Sequence, residues 1–267
     1  MYAFAYHRPG TVRQAQSALH KHEDSKLLAG GQTLIPTMKQ RLASPSALID
    51  LGHVAGLAGI EKKGRNIVIG AMTRHADVAS SAVVQEHLPA LADLAAHIGD
   101  PAVRHRGTIG GSLANNDPSA DYPAAALALG ATIITNKRKI AADDYFQGMF
   151  TTALEEGEII TKVSFPMPSK AAYAKFPNPA SRYAMVGVFV AKKGSDVRVA
   201  VTGASNDGVF RAAPLEAALH TKFNAKSLEG VSVDHSSFIS DIHGSADYRG
   251  NLVTVMAKRA VLKAQGK

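Results

Sequence analysis

KLLAGGQTL, residues 26–34, begins as a short apolar strand and breaks at once into a Gly-Gly loop that carries Gln32 and Thr33. A second segment repeats the idea farther along: GTIGGSLANNDPSADYPA, residues 107–124, sets Gly110-Gly111 between Thr108 and Ser112. Glycine accepts φ > 0 and lets backbone N–H groups come close to a ligand. Successive N–H groups aimed at one point form an anion nest. Two nests of this kind could grip the two phosphates of a dinucleotide. Neither loop has the spacing of a Rossmann fingerprint or of a P-loop. A Gly-Gly pair taken alone is also a common plain turn.

The flanking polar residues extend the second segment. Asn115, Asn116, Asp117, Ser119 and Asp121 can bond ribose and ribityl hydroxyls. Asn115 and Asn116 read equally well as an exposed turn around Pro118. Asp121 precedes the apolar run YPAAALALG, which aims it inward. The whole segment is rich enough in Gly, Asn, Asp and Pro to predict irregular backbone.

Outward from the first loop, Thr11 and Gln14 form a capping box that opens a helix through Leu19. With ALIDL (47–51), residues 1–55 read as a small β-α-β unit. NIVIGA (66–71), ATIITN (131–136) and EIITKVSFP (158–166) read as strands. Thr73 is expected to cap a helical stretch interrupted at Pro89, with Leu88, Leu91, Ala92, Ala95 and Ile98 at helical spacing. FPMPSK (165–170) marks a boundary. Past it, MVGVFVAKK and DVRVAVTGA flank Gly194-Ser195 as a hairpin. Tyr248, Leu252, Val255, Arg259 and Leu262 predict a closing helix with one buried stripe. The fold class is α+β, with units at 1–168 (subdivided near 55/56) and 169–267.

Composition narrows function. The chain has no cysteine, so it holds no disulfide, no thiolate zinc and no iron–sulfur cluster of its own. Its 11 histidines form no H-E-x-x-H or similar ligand pair, and no G-x-S-x-G elbow occurs. Net charge is +8, but the positives are scattered, with Lys137-Arg138-Lys139 and Arg104-His105-Arg106 the densest spots. Neither is interleaved with aromatics, which argues against nucleic acid. Arg104 and Arg106 could offset a pyrophosphate, face an acidic partner or form a salt-bridged surface. Asp143-Asp144 reads as a solvated turn. MYAFAYHRPG is no signal peptide and no run of about 18 apolar residues occurs, so the expected location is cytoplasmic, without a membrane span.

LLAGGQTLIPTMKQRLASPSALIDL (27–51) and IGDPAVRHRGTIGGSLANNDPSADYPAAALALGA (98–131) resemble the two FAD-binding segments of molybdenum-hydroxylase flavoproteins. GEIITKVSFP, YAKFPNPASRYAMVGVFVA and DYRGNLVTVMAKRAVLKA are similar to the same family, so the likeness spans nearly the whole chain. The family is that of FAD-binding medium subunits of multi-subunit molybdenum hydroxylases, of the aerobic carbon monoxide dehydrogenase and xanthine dehydrogenase type.

The resemblance implies a vanillyl-alcohol-oxidase-like (PCMH-type) FAD domain of two α/β subdomains. A small C-terminal domain with a three-stranded antiparallel sheet and helices would follow. It implies non-covalent FAD here, and two partner chains: a small one with [2Fe–2S] clusters and a large one with molybdopterin, assembled as a dimer of heterotrimers. Electrons would pass from the partner cluster through FAD to an external acceptor, with no catalytic side chain in this chain. Residue by residue, Ala29, Gly30, Gly31, Gln32, Thr33 and Leu34 match the first motif. Gln32 stands where relatives often have His, and Thr33 where they often have Ser. Thr108, Ile109, Gly110 and Gly111 match the second motif, continued by Ser112, Asn115, Asp117 and Ser119. Asp121 matches the acidic residue on the flavin's sugar chain, Ile160 an apolar residue on the isoalloxazine, and Lys175 and Tyr183 positions beside the ring. FPNPAS (176–181) departs from the more polar stretch of some relatives. The alternatives are a stand-alone flavin oxidase or reductase of the superfamily and a non-enzymatic basic binding module.

Overall fold

Three short strands begin the computed structural model, which describes residues 1–267. They are β1 (Ala5–His7), β2 (Lys26–Leu28) and β3 (Ala47–Asp50), with helices α1 (Val12–Lys21) and α2 (Leu34–Lys39) between them. The strands are parallel in the order β1-β3-β2. The capping box of α1 is complete: the Gln14 N–H donates to Thr11 Oγ1 and the Thr11 N–H to Gln14 Oε1, both at 3.2 Å. Central β3 is buried on both faces through Ala47, Leu48 and Ile49.

A five-stranded antiparallel sheet follows. It contains β4 (Ile60–Lys63), β5 (Asn66–Gly70), β6 (Thr132–Thr135), β7 (Lys139–Ala141) and β10 (Ile160–Pro166), ordered β4-β5-β10-β6-β7. Between β5 and β6 run six helices: α3 (His75–Ser80), α4 (Ala82–His87), α5 (Pro89–Ala96), α6 (Pro101–Arg104), α7 (Ile109–Asn115) and α8 (Tyr122–Leu129). Helix α9 (Ala142–Tyr145) and the hairpin β8 (Phe146–Gly148) and β9 (Thr151–Thr152) precede β10. Every residue of α8 is buried, because its four alanines let neighbours approach from all sides.

The chain changes sheet between Pro166 and Lys170. Strands β11 (Lys170–Pro177), β12 (Ala184–Lys193), β13 (Asp196–Thr202) and β14 (Phe210–Arg211) form one antiparallel sheet in sequential order. Helices α10 (Ala213–Thr221) and α11 (Ala246–Ala264) cover it. β12 is apolar without alternation because both its faces are buried. Phe189 and Ala191 join the larger core around α8, while Val186, Val188 and Val190 join a second core under α11. No helix is long and apolar enough to cross a membrane.

Several sequence expectations need correction. The expected three-stranded sheet has a fourth strand: the two residues of β14 pair with Ala200 and Val201, too short a run for periodicity to show. Thr73 caps no helix; its hydroxyl bonds the Gly59 backbone, and Arg74 precedes α3. The segment read as irregular contains α7 and the start of α8. In α11 the buried stripe is Arg249, Leu252, Val253, Met256, Ala257 and Ala260, one step round from the expected one, leaving Tyr248 and Leu262 exposed. Leu252, Val253, Met256 and Val261 pack into the core under α11 together with the small Ala257 and Ala260. Asp143 is no free turn residue but accepts from Arg198 at 2.9 Å.

Candidate functional site

The first glycine loop links β2 to α2 and leans on the second. A Cβ on Gly30 would lie 2.3 Å from the Arg106 carbonyl oxygen and 2.6 Å from Gly107 Cα. Gly31 has φ +71°, which disfavours a side chain. The N–H groups of Gly30, Gly31, Gln32 and Thr33 find no acceptor within the chain. They line a large cavity, so a run of unspent donors faces space that can hold an anion.

The second loop differs, and the expectation of two equivalent nests is corrected to one. Ile109 N–H donates to Thr73 O (3.1 Å), Gly110 N–H to Ala71 O (2.8 Å) and Ser112 N–H to Thr108 O (3.0 Å). Gly111 N–H donates to Thr108 Oγ1 at 3.2 Å, capping α7. These donors are already used. The glycines serve packing instead: a Cβ on Gly110 would meet Ala71 Cβ at 2.6 Å, and one on Gly111 would reach Ala29 Cβ at 3.3 Å. The second motif is a thin wall held against the first.

The cavity measures about 1360 Å³ and lies where β2–α2, α7, the Asp117–Asp121 turn and β10 converge. Ala29 to Leu34, Thr108, Gly110, Gly111, Ser112, Asn115, Asp117, Asp121, Ile160 and Tyr183 line it. Ile109, Ser119 and Lys175 do not. Ile109 is packed in the core, and the Ser119 N–H folds back on Asp117 Oδ1 at 2.8 Å.

Asp121 is only 4% exposed. Tyr173 donates its hydroxyl to Asp121 Oδ1 at 2.5 Å, and Lys175 Nζ lies 2.9 Å from the same oxygen and 3.0 Å from Oδ2. Burial pushes this carboxyl up; Lys175 and Tyr173 pull it down. Lys175 therefore acts on the cavity through Asp121. Burial also raises Asp117 against the Ser119 N–H. The Tyr183 hydroxyl is raised first by burial and then by the charges of Asp117 and Asp121.

Other cavity residues escaped the sequence reading: His75, Gly107, Phe150 and Arg182. Phe150 and Arg182 have φ +55° and +62°, costly for side chains of their size. Asn116 holds the Phe150 turn by donating Nδ2 to Gly148 O and Thr151 O, each at 2.8 Å. Nothing local in QGMFTT or PASRYA announces these conformations. Arg104 donates to Ile98 O and Gly99 O, and neither Arg104 nor Arg106 forms an ion pair within the chain, so the salt-bridged reading does not hold.

Residues 2–168 match the family model described as the FAD binding domain in molybdopterin dehydrogenase. The nicotine 6-hydroxylase medium subunit of Paenarthrobacter nicotinovorans is 38% identical, over 98% of this chain and 97% of its own length. A chain of carbon monoxide dehydrogenase from Hydrogenophaga pseudoflava superposes with TM-score 0.88 at 36% identity, covering 99% of this chain and 98% of that one. A chain of reconstituted CO dehydrogenase from Oligotropha carboxidovorans gives TM-score 0.90 at 34% identity, with the same coverage. The fold is thus that of a flavin-binding oxidoreductase subunit. The chain belongs to the family of FAD-binding subunits of molybdenum hydroxylases.

Proposed function

We propose that Gly30 to Thr33 receive the FAD pyrophosphate and that Asp121 holds the flavin's sugar chain in the same cavity. One observation carries the assignment: a run of unpaired backbone donors faces the same cavity as a buried carboxylate. Volume supports it, since about 1360 Å³ exceeds what a single mononucleotide needs. The second motif presses the first into place, and Ile160 and Tyr183 supply apolar and aromatic surface. FAD, when bound, exchanges electrons singly or in pairs; the chain's residues bind it, orient it and set the polarity around it. Residues 1–168 form the FAD-binding unit in this reading, and 169–267 brace it.

The partners in this reading are a small [2Fe–2S] chain and a large molybdopterin chain, joined as a dimer of heterotrimers in the cytoplasm. With no cysteine, this chain cannot carry the iron–sulfur relay itself. Substrate choice then belongs to the large chain, and the medium subunits it resembles serve enzymes with different substrates.

Acid release of flavin from the purified complex tests the assignment. About one FAD per chain is expected. FMN alone, or no flavin after incubation with excess FAD, would overturn it. Assays of the isolated, FAD-loaded chain against carbon monoxide, purines and aldehydes test the need for partners. Steady turnover without them would favour a stand-alone oxidase.

A further inference from the structure

His75, the first residue of α3, is 5% exposed and belongs to no motif. Its backbone N–H donates to Gly107 O at 3.0 Å, tying it to the base of the second glycine loop. Its ring lies against Gly107 so closely that a Cβ there would stand 2.5 Å from Nε2. Tyr122 covers the imidazole with ring centroids 5.3 Å apart. The fit is tight, yet neither ring nitrogen has a hydrogen-bond partner, and Nδ1 is sealed from solvent. His75 nevertheless lines the cavity, and Nε2, unlike Nδ1, is not sealed from solvent.

The two tautomers differ in cost. A buried N–H without an acceptor is rarer in proteins than a buried lone pair without a donor. That places the proton on Nε2 and leaves the sealed Nδ1 as the bare nitrogen. Burial, helped by the Arg104 charge, pushes His75 down to about 4, so the ring is neutral at physiological pH. The result is one uncharged N–H donor at the cavity wall with no acceptor in the protein. Gly107, which leaves room for it, is not explained by a turn, since it has no positive φ.

We propose that His75 donates its Nε2–H to an acceptor atom of the bound FAD, making it a cofactor-positioning residue outside both sequence motifs. The inference rests on the cavity being the FAD site. An oxygen of the pyrophosphate or a carbonyl of the flavin supplies the acceptor chemistry. A neutral donor suits a buried place: it adds direction without the cost of burying a charge.

The test titrates FAD, by quenching of flavin fluorescence, into deflavinated complex carrying wild type, His75→Gln or His75→Leu. Gln keeps an N–H donor at similar reach; Leu keeps bulk and removes the donor. His75→Gln should bind within about threefold of wild type and His75→Leu about tenfold more weakly, the scale of one neutral hydrogen bond. Thermal midpoints of the three flavin-free forms check that folding is equal. In ¹⁵N-histidine-labelled wild type, Nε2 should carry the proton, and its resonance should move on FAD addition. Equal affinity in wild type and both variants, or a proton on Nδ1, overturns this inference alone. Wild type that takes up no FAD overturns the cofactor assignment as well.

Discussion

Gly30 rests on the backbone of Arg106, so the two glycine loops, far apart in sequence, form one double wall with no room for a methyl group between them. Gly30→Ala must push the walls apart. It should cost roughly 1–3 kcal/mol of stability, as overpacking does, and weaken FAD binding at least about tenfold. Urea unfolding and FAD titration together check this; unchanged values in both would mean the loops separate freely.

Gly111→Val is the complementary change. Its Cβ would sit 3.0 Å from Thr108 Oγ1 and 3.3 Å from Ala29 Cβ, a tight but yielding contact, with the branches entering the cavity. FAD binding should be lost while the thermal midpoint of the flavin-free form falls by only a few degrees, about 1 kcal/mol. Wild-type affinity in this variant would show that the second loop does not bound the site.

Lys175 and Asp121 should couple strongly, because both are nearly buried and in contact. Lys175→Met leaves an uncompensated carboxylate and should cost roughly 3–5 kcal/mol. Adding Asp121→Asn removes the stranded charge, so the double variant should be more stable than Lys175→Met alone. A double-mutant cycle by chemical denaturation reads the coupling, and simple additivity would contradict the pair's burial.

Stability should fall on the acid side in two windows. His75 is held down to about 4 from 6.5, chiefly by burial. Below pH 6.5 the unfolded chain takes a proton that the folded chain refuses until about pH 4, so stability drops across that interval by up to about 1.4 kcal/mol per pH unit. Glu158 is pushed up by burial but held lower still, at about 2, by Arg138, the Glu155 N–H and Thr135. Its contribution, present above 4.5, is lost as pH falls towards 2. His75→Gln should flatten the first window and leave the second. Identical slopes for both proteins above pH 4 would remove His75 from the account.

Arg249→Lys should be far from conservative. The guanidinium reaches Met185 O at 2.8 Å, Gly203 O at 3.0 Å and both oxygens of Asp241 at 2.9 Å. A point ammonium cannot span these acceptors. A loss of roughly 3 kcal/mol or more in urea unfolding is expected; a loss below about 0.5 kcal/mol would show the cluster to be replaceable.

Legibility in the sequence followed locality. Thr11 and Gln14 are three residues apart, so their capping box could be read directly. The hairpin at Gly194-Ser195 and the inward turn of Asp121 were equally local. The family resemblance settled the fold class because its motifs are long. What failed depended on distant partners. Gly110 and Gly111 resemble turn residues until Ala71 and Ala29 are seen against them. The donors of the second loop look free until Thr73 and Ala71 supply acceptors. Lys175 looks like a ligand residue until Asp121 claims it. The stripe of α11 is offset because Leu252 belongs to two adjacent faces, and spacing alone does not show that the one with Met256, Ala260 and Val261 meets the sheet rather than the one with Val255 and Leu262. His75 was invisible because an unpartnered nitrogen is a property of its surroundings.

The strand β13 reaches back to the polar turn: Thr202 Oγ1 donates to Pro118 O at 3.0 Å and to Ala120 O at 2.7 Å, and Gly203 N–H donates to Pro118 O at 2.8 Å. A nascent chain leaves the ribosome N-terminus first, so both glycine loops and Asp121 emerge well before the strand that pins them. Until β13 arrives, the turn bearing Asp121 lacks its anchors and α8 lacks part of its cover. A flavin pocket with Asp121 fixed in place therefore exists only once β13 has emerged, late in the synthesis of this chain.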